Sequence, residues 1–167
     1  MNSDEKSLQV AYIGLGSNLD DPVSQIERAF EHLEGLPGTR VIARSSLYRS
    51  APVGHIEQPD FVNAVISVET TLSAAALLEH LQQIERSQGR TRGEAQWGPR
   101  ILDLDLLLFG DAEIDDPDLT VPHPGIGARN FVLLPLREIA PGLVIPNLGR
   151  LSEQVIDEDE LQISLIT

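Results

Sequence analysis

The chain has 167 residues, the length of about one domain and enough to bury a core. Twelve Lys plus Arg against 26 Asp plus Glu leave a net charge of −14, a field that repels nucleic acid and anionic membranes, while the absence of cysteine excludes disulfide scaffolds, thiolate zinc sites and thiol nucleophiles. Eleven of those twelve cations are arginine and the one lysine is Lys6, so Walker A, Schiff-base and Ser-Lys chemistries are also out, and the arginine surplus favours bidentate grip of phosphate or carboxylate.

The opening MNSDEKSLQV shows no signal pattern and no apolar run approaches a membrane span. Residues 1–7 therefore read as a polar leader on a soluble, cytoplasmic chain with no nucleic-acid or membrane partner. Leu8 to Leu15 alternates like a strand and runs into Gly14-Leu15-Gly16-Ser17-Asn18. Leu19 stands where a dinucleotide fingerprint needs its third glycine, so this segment is expected to be a tight strand-to-helix turn. Asp21-Pro22 opens an amphipathic helix with Ile26, Ala29, Phe30, Leu33 and Leu36 on its stripe and Gly35 and Gly38 at its stop.

Val41 to Tyr48 reads as a second strand. Phe61 to Glu69 is a third, with Val62, Ala64, Ile66 and Val68 on one face and Phe61, Asn63, Val65 and Ser67 on the other. Ser73 caps a second helix to about Arg86, with Leu77, Leu81 and Ile84 on the buried stripe. Ile101 to Phe109 is a fourth strand, with Leu102, Leu104, Leu106 and Leu108 turned to the core. Beyond Gly110 the chain is proline-rich, with a short helical piece near Val132 to Ile139 and an acidic end, Glu153 to Glu160.

Strand, helix, strand, strand, helix, strand is the split βαβ order. The expected fold is α+β and ferredoxin-like: a mostly antiparallel sheet with packed helices, three-layer αβα, in a single domain over residues 1–167 with an acidic tail, 150–167, packed on it. Two connections, Arg49 to Asp60 and Ser87 to Pro99, are longer than this fold needs, which marks them as places for a site.

Asp103-Leu104-Asp105 lies inside the most apolar strand, and a two-residue period points both carboxylates to one face, roughly 7 Å apart along the chain. Like charges there need cations. Magnesium suits them, since it binds through one or two carboxylates plus substrate phosphates, and two ions about 4 Å apart fit phosphoryl transfer. The alternative is a pair of solvated aspartates on an exposed face. Arg86, Arg90, Arg92 and Arg100 put four of the twelve basic residues into fifteen positions with one acid, Glu94, just before that strand. The functional reading is a closing loop that stabilises polyphosphate charge; the bland one is pairing with surplus surface acids.

Phe61 and Asn63 share a strand face, and Trp97 and Phe131 stand in loop contexts in a chain with seven aromatic residues. Two rings can sandwich a flat heterocycle while an asparagine amide reads its edge, or the rings simply pack. His123, stiffened between Pro122 and Pro124, with Arg129 beyond it, either grips distal phosphate or is a turn histidine beside a solvated arginine. His32, His55 and His80 have no metal-ligand spacing.

The combination resembles a known family. Trp97-Gly98-Pro99-Arg100-Ile101-Leu102-Asp103-Leu104-Asp105-Leu106 is similar to a block of the 6-hydroxymethyl-7,8-dihydropterin pyrophosphokinases of folate biosynthesis. So are Gly14-Leu15-Gly16-Ser17-Asn18, Gln58-Pro59-Asp60-Phe61-Val62-Asn63, Thr120-Val121-Pro122-His123-Pro124 and Arg129-Asn130-Phe131, in the family's order from about Ala11 to Pro146. The resemblance implies transfer of the terminal diphosphate of ATP to the pterin hydroxymethyl group, with release of AMP, by a ferredoxin-like monomer using two magnesium ions. It implies that Asp103 and Asp105 ligate both ions, and that Arg90, Arg92 and Arg100 bind and stabilise the triphosphate with His123 and Arg129. Gln82, Glu85 and Thr120 would lie around the nucleotide. Phe61 and Phe131 would sandwich the pterin, with Ser50, Asn63 and the backbone near Val53 reading its edge and Trp97 on the closing loop. Gln96 stands where the family usually carries a base and Phe61 where tyrosine is common, which removes one loop cation and one hydroxyl contact.

Two other classes use part of this pattern. A magnesium-dependent nucleotidyltransferase would employ the same aspartates and release diphosphate, so product identity separates it. A non-catalytic acidic binding module accounts for the charge but leaves the arginine loop and paired rings unexplained; ATP with magnesium would not raise its melting temperature.

Overall fold

The computed structural model describes residues 7–52, 57–89, 101–157 and 159–166. β1 (Gln9–Ser17), β2 (Thr39–Arg44), β3 (Tyr48–Ser50), β4 (Phe61–Thr70) and β5 (Asp103–Phe109) share one sheet. β1 lies between β4 and β5, and β2 and β3 both pair with the far side of β4. α1 (Pro22–Glu34) joins β1 to β2 and α2 (Ala74–Ser87) joins β4 to β5, the split βαβ arrangement of a ferredoxin-like fold. Every pairing among the described residues is antiparallel.

Alternation builds the layers. Ala11, Ile13 and Leu15 of β1, the even-numbered apolar residues of β4, and Leu104 and Leu106 of β5 pack against the α1 and α2 stripes. On the opposite face Val65 and Leu107 meet Val132, Leu133 and Leu136 of α3 (Asn130–Ile139), which supplies the third layer.

Three expectations moved. Val41 to Tyr48 is two strands, because Ser45 and Ser46 are taken by other partners. Ser45 N–H donates to Val65 O while Ser45 Oγ accepts Val65 N–H, and Ser46 donates its N–H and O–H to the Glu138 carboxylate of α3. The β1–β5 register shifts between Tyr12 and Ile13, so Leu108 leaves the face of Leu104 and Leu106 and joins the α3 core. Gly14 and Gly16 lie within β1, and the turn after it belongs to Asp20 and Asp21, at φ 54° and 64°. Asp21 starts α1 through its carbonyl, which accepts Gln25 N–H, while its carboxylate accepts Ser24 O–H.

The segment beyond Gly110 holds two small hairpins, β6 (Ile114–Asp116) with β7 (Leu119–Val121) and β8 (Val144–Ile145) with β9 (Gly149–Arg150). β10 (Ser164–Leu165) pairs with β3 and ends the sheet on that side. Strands of two or three residues carry no readable period.

β5 ends the sheet on the other side, and there Glu85 of α2, 7 % exposed, accepts Leu104 N–H at 2.8 Å. Glu85→Ala strips that buried amide of its acceptor and should lower stability by about 1–3 kcal/mol, read from the denaturant midpoint. Glu85→Gln keeps an acceptor oxygen and should retain most of the stability; equal losses in both variants would count against this account.

Candidate active site

Asp103 and Asp105 stand on the α3 face of β5 because Leu104 and Leu106 take the α1 and α2 side. Pairing with β1 sets their level: Asp103 lies opposite Gly16 and Asp105 opposite Gly14. On the other side of β1, Gly16 lies opposite Asn63 and Gly14 opposite Val65. A side chain at position 16 would share its face with Asn63 and Asp103, and glycine leaves that place open. A Cβ there would come 3.7 Å from Asn63 Oδ1 and 3.9 Å from a Phe61 ring carbon. The outcome is a gap over Gly16 with Phe61 and Asn63 on one side and Asp103 on the other, while the Leu107 side chain packs over Gly14. The sequence displayed both glycines; the value of Gly16 lies in spacing rather than in turn geometry, which only the strand pairing reveals.

On the Asn63 side, the side-chain amide donates to Ser50 Oγ at 2.8 Å, with Asn63 4 % and Ser50 2 % exposed. Ser50 lies opposite Phe61, so three of the residues expected around a flat ring sit at adjoining registers. Asn18, at the end of β1, donates to Gln58 Oε1 at 2.9 Å and Pro59 O at 3.0 Å, which ties the approach to β4 onto β1.

On the aspartate side, His123 N–H donates to Leu107 O at 2.9 Å and His123 Nδ1 accepts Gly125 N–H at 3.1 Å. Its ring proton therefore sits on Nε2, which is 3.9 Å from Asp105 Oδ1. Burial holds the His123 pKa below the ordinary histidine value, the Arg129 charge pushes it further down, and Asp103 acts in the opposite sense. The neutral ring with a single donor aimed at the aspartates is thus the dominant form near pH 7. The Arg129 guanidinium lies 5.8 Å from the Phe131 ring centroid. Phe131 is in the first turn of α3 and half-buried against that core, where a loop had been expected.

The remaining expected residues lie on α2 and β7 or outside the described residues. Gln82 is exposed on α2 and Thr120 exposed on β7, opposite Asp115, while Glu85 accepts Leu104 N–H of β5. Arg90, Arg92, Arg100, Trp97 and Val53 lie outside the described residues, as do Gln96 and His55. Among the described residues no group of three or more His, Asp or Glu side chains is placed to hold a metal. Two carboxylates on one face still suit magnesium, whose remaining positions are ordinarily filled by water and substrate phosphate. Among the described residues, no helix is long and apolar enough to cross a membrane.

A family model described as 7,8-dihydro-6-hydroxymethylpterin-pyrophosphokinase (HPPK) matches residues 12–141. The chain is 48 % identical over 145 residues to the 2-amino-4-hydroxy-6-hydroxymethyldihydropteridine pyrophosphokinase of Haemophilus influenzae, covering 87 % of this chain and 90 % of that one. It is 49 % identical over 146 residues to the Pseudomonas aeruginosa protein of the same name, with the same coverage of 87 % and 90 %. Among solved structures it is similar in fold to Plasmodium falciparum HPPK-DHPS, with a TM-score of 0.72 and 16 % identity over 90 % of this chain and 45 % of that one.

Proposed function

The chain belongs to the 7,8-dihydro-6-hydroxymethylpterin-pyrophosphokinase family, and we propose that its reaction takes place over Gly16, between Phe61 and Asn63 on one side and the aspartates of β5 on the other. It is an ATP-dependent diphosphotransferase of folate biosynthesis, moving diphosphate from ATP to the hydroxymethyl group of 6-hydroxymethyl-7,8-dihydropterin and leaving AMP. The observation that supports this placement best is the shared register of Asn63, Gly16 and Asp103, which sets a ring-reading amide and a carboxylate across one open glycine.

Asp103 and Asp105 would hold the magnesium that accompanies ATP, two ions in this reading. When bound there, magnesium neutralises phosphate charge and favours the ionised substrate hydroxyl. His123 donates from Nε2 toward the phosphates beside Arg129, and Arg90, Arg92 and Arg100 take up the remaining triphosphate charge. Gln82, Glu85 and Thr120 border the nucleotide. Phe61 and Phe131 cover the two faces of the pterin while Asn63, Ser50 and the Val53 backbone read its edge, and Trp97 contributes to binding both substrates. The hydroxyl attacks the β-phosphorus in line, the oxygen bridging the α- and β-phosphorus leaves with AMP, and no side chain of this set is a dedicated base. We read the protein as a monomer, and the lack of thiols accords with work in the reducing cytoplasm.

Incubation with ATP, magnesium and the reduced hydroxymethylpterin, followed by nucleotide separation, should give pterin-dependent AMP without free diphosphate. ADP would indicate phosphoryl transfer instead, and free diphosphate a nucleotidyltransferase; either would overturn the reading.

A further inference from the structure

The acidic end of the chain touches both sides of the proposed pterin site. Asn130, between Arg129 and Phe131, is 4 % exposed, and its amide donates to Asp157 O at 2.9 Å and, in a shorter contact, to Glu160 O. Its Oδ1 is buried without a hydrogen-bond partner among the described residues. An apolar side chain would spare that desolvation cost, so what asparagine contributes at this position is its pair of N–H bonds to the tail.

A few residues on, the same tail reaches the opposite wall. Leu161 O accepts Ala51 N–H at 2.7 Å, next to Ser50. β10 then pairs with β3, and Ile166 N–H donates to Leu47 O at 2.9 Å. Leu161 and Gln162 take left-handed backbone angles, φ 58° and 49°, which are disfavoured for such residues and persist only where surrounding bonds impose them. The other end of α3 is fastened separately, through Glu138 to Ser46 and Tyr48. The tail is thus a hydrogen-bonded connection, beside the α3 core packing, between the start of α3, which carries Phe131, and the β3 end, which carries Ser50.

We infer that the tail, through residues 157 and 159–166, forms a tie that sets the distance between the two pterin walls, with Asn130 as the positioning residue that anchors it. This rests on the placement of the pterin given above. Loosening the tie lets the Phe131 wall move relative to Ser50 and Asn63, which weakens pterin binding. It leaves in place the aspartates of β5, which lies at the opposite end of the sheet from β10.

The test is steady-state kinetics of the full chain with each substrate varied in turn. Asn130→Ala should raise the KM for hydroxymethyldihydropterin about tenfold, the equivalent of losing one to two net hydrogen bonds, with kcat at saturation within about twofold and the KM for ATP within about threefold. Asn130→Asp should be worse, because it sets a carboxylate against two carbonyl oxygens. Asp157→Ala acts from the exposed side. Asp157 Oδ1 accepts Asp159 and Glu160 N–H and so shapes the turn that presents the two carbonyls. That variant should raise the pterin KM about threefold at an unchanged melting temperature, which covers the case that Asn130→Ala folds poorly. Phe131→Ala keeps the tie and reports separately on whether that wall holds the pterin. An unchanged pterin KM in both Asn130→Ala and Asp157→Ala overturns the inference whatever Phe131→Ala does. So does a loss that falls equally on kcat and on both KM values.

Discussion

Replacing Asp105 with alanine is expected to abolish diphosphate transfer, by about 10³-fold or more, while the melting temperature stays within a few degrees. The side chain is 35 % exposed and stands on the face of β5 opposite Leu104 and Leu106, so its removal opens no cavity in the core under α1 and α2. What it removes is one of two carboxylates that lie on one strand face two residues apart, each opposite a glycine of β1. With Asp103 alone, the site has half its fixed negative charge for a divalent cation. Asp105→Asn makes the same point without a change of shape: it keeps the hydrogen-bonding volume beside His123 and loses the charge. Turnover and thermal melts across a magnesium titration check both variants. Activity within tenfold of the parent at saturating magnesium would remove Asp105 from the ligand set.

Gly16→Val should separate stability from activity in the opposite direction. A β-branched residue suits the middle of a sheet better than glycine, by up to about 1 kcal/mol, and a Cβ at this position meets Asn63 and Phe61 at ordinary contact distances of 3.7 and 3.9 Å. The protein should therefore melt no lower than the parent. The two γ-carbons, however, project into the space between Asn63 and Asp103, where the proposed site brings the pterin hydroxymethyl group to the phosphate. A displacement of about 1 Å at a reacting centre costs about 10²-fold, and kcat/KM for the pterin should fall by at least that factor. Gly16→Ala, whose single carbon fits the open place, should fall between. A Gly16→Val protein with undiminished kcat/KM would show that the substrates meet elsewhere.

The strand and helix order was legible because it rests on local periods. Ile26, Ala29, Phe30 and Leu33 mark a helix face, and Val62, Ala64, Ile66 and Val68 a strand face, whatever the rest of the chain does. Asp103 and Asp105 could be put on one face for the same reason, and the charge count and the arginine run pointed to phosphate before any geometry was known. Elements decided by distant partners were not legible. The break between β2 and β3 comes from Glu138, 92 positions from Ser46. The tail's path comes from Asn130 and Ala51.

By itself, then, the sequence determined the split βαβ order, the side of β5 on which the aspartates stand, and the chemical class of the substrates, since each follows from residue identity and near-neighbour spacing. Only the tertiary structure decided what stands beside what. Gly16 has the composition of a turn residue, yet pairing with β4 and β5 at once makes it the gap between an amide and a carboxylate. Phe131 reads as a loop aromatic, yet packing of α3 on the second face of the sheet places it in a helix turn, half-buried against that core. Strand register is fixed by contacts across the sheet, made between residues far apart in the chain, and no local period encodes them.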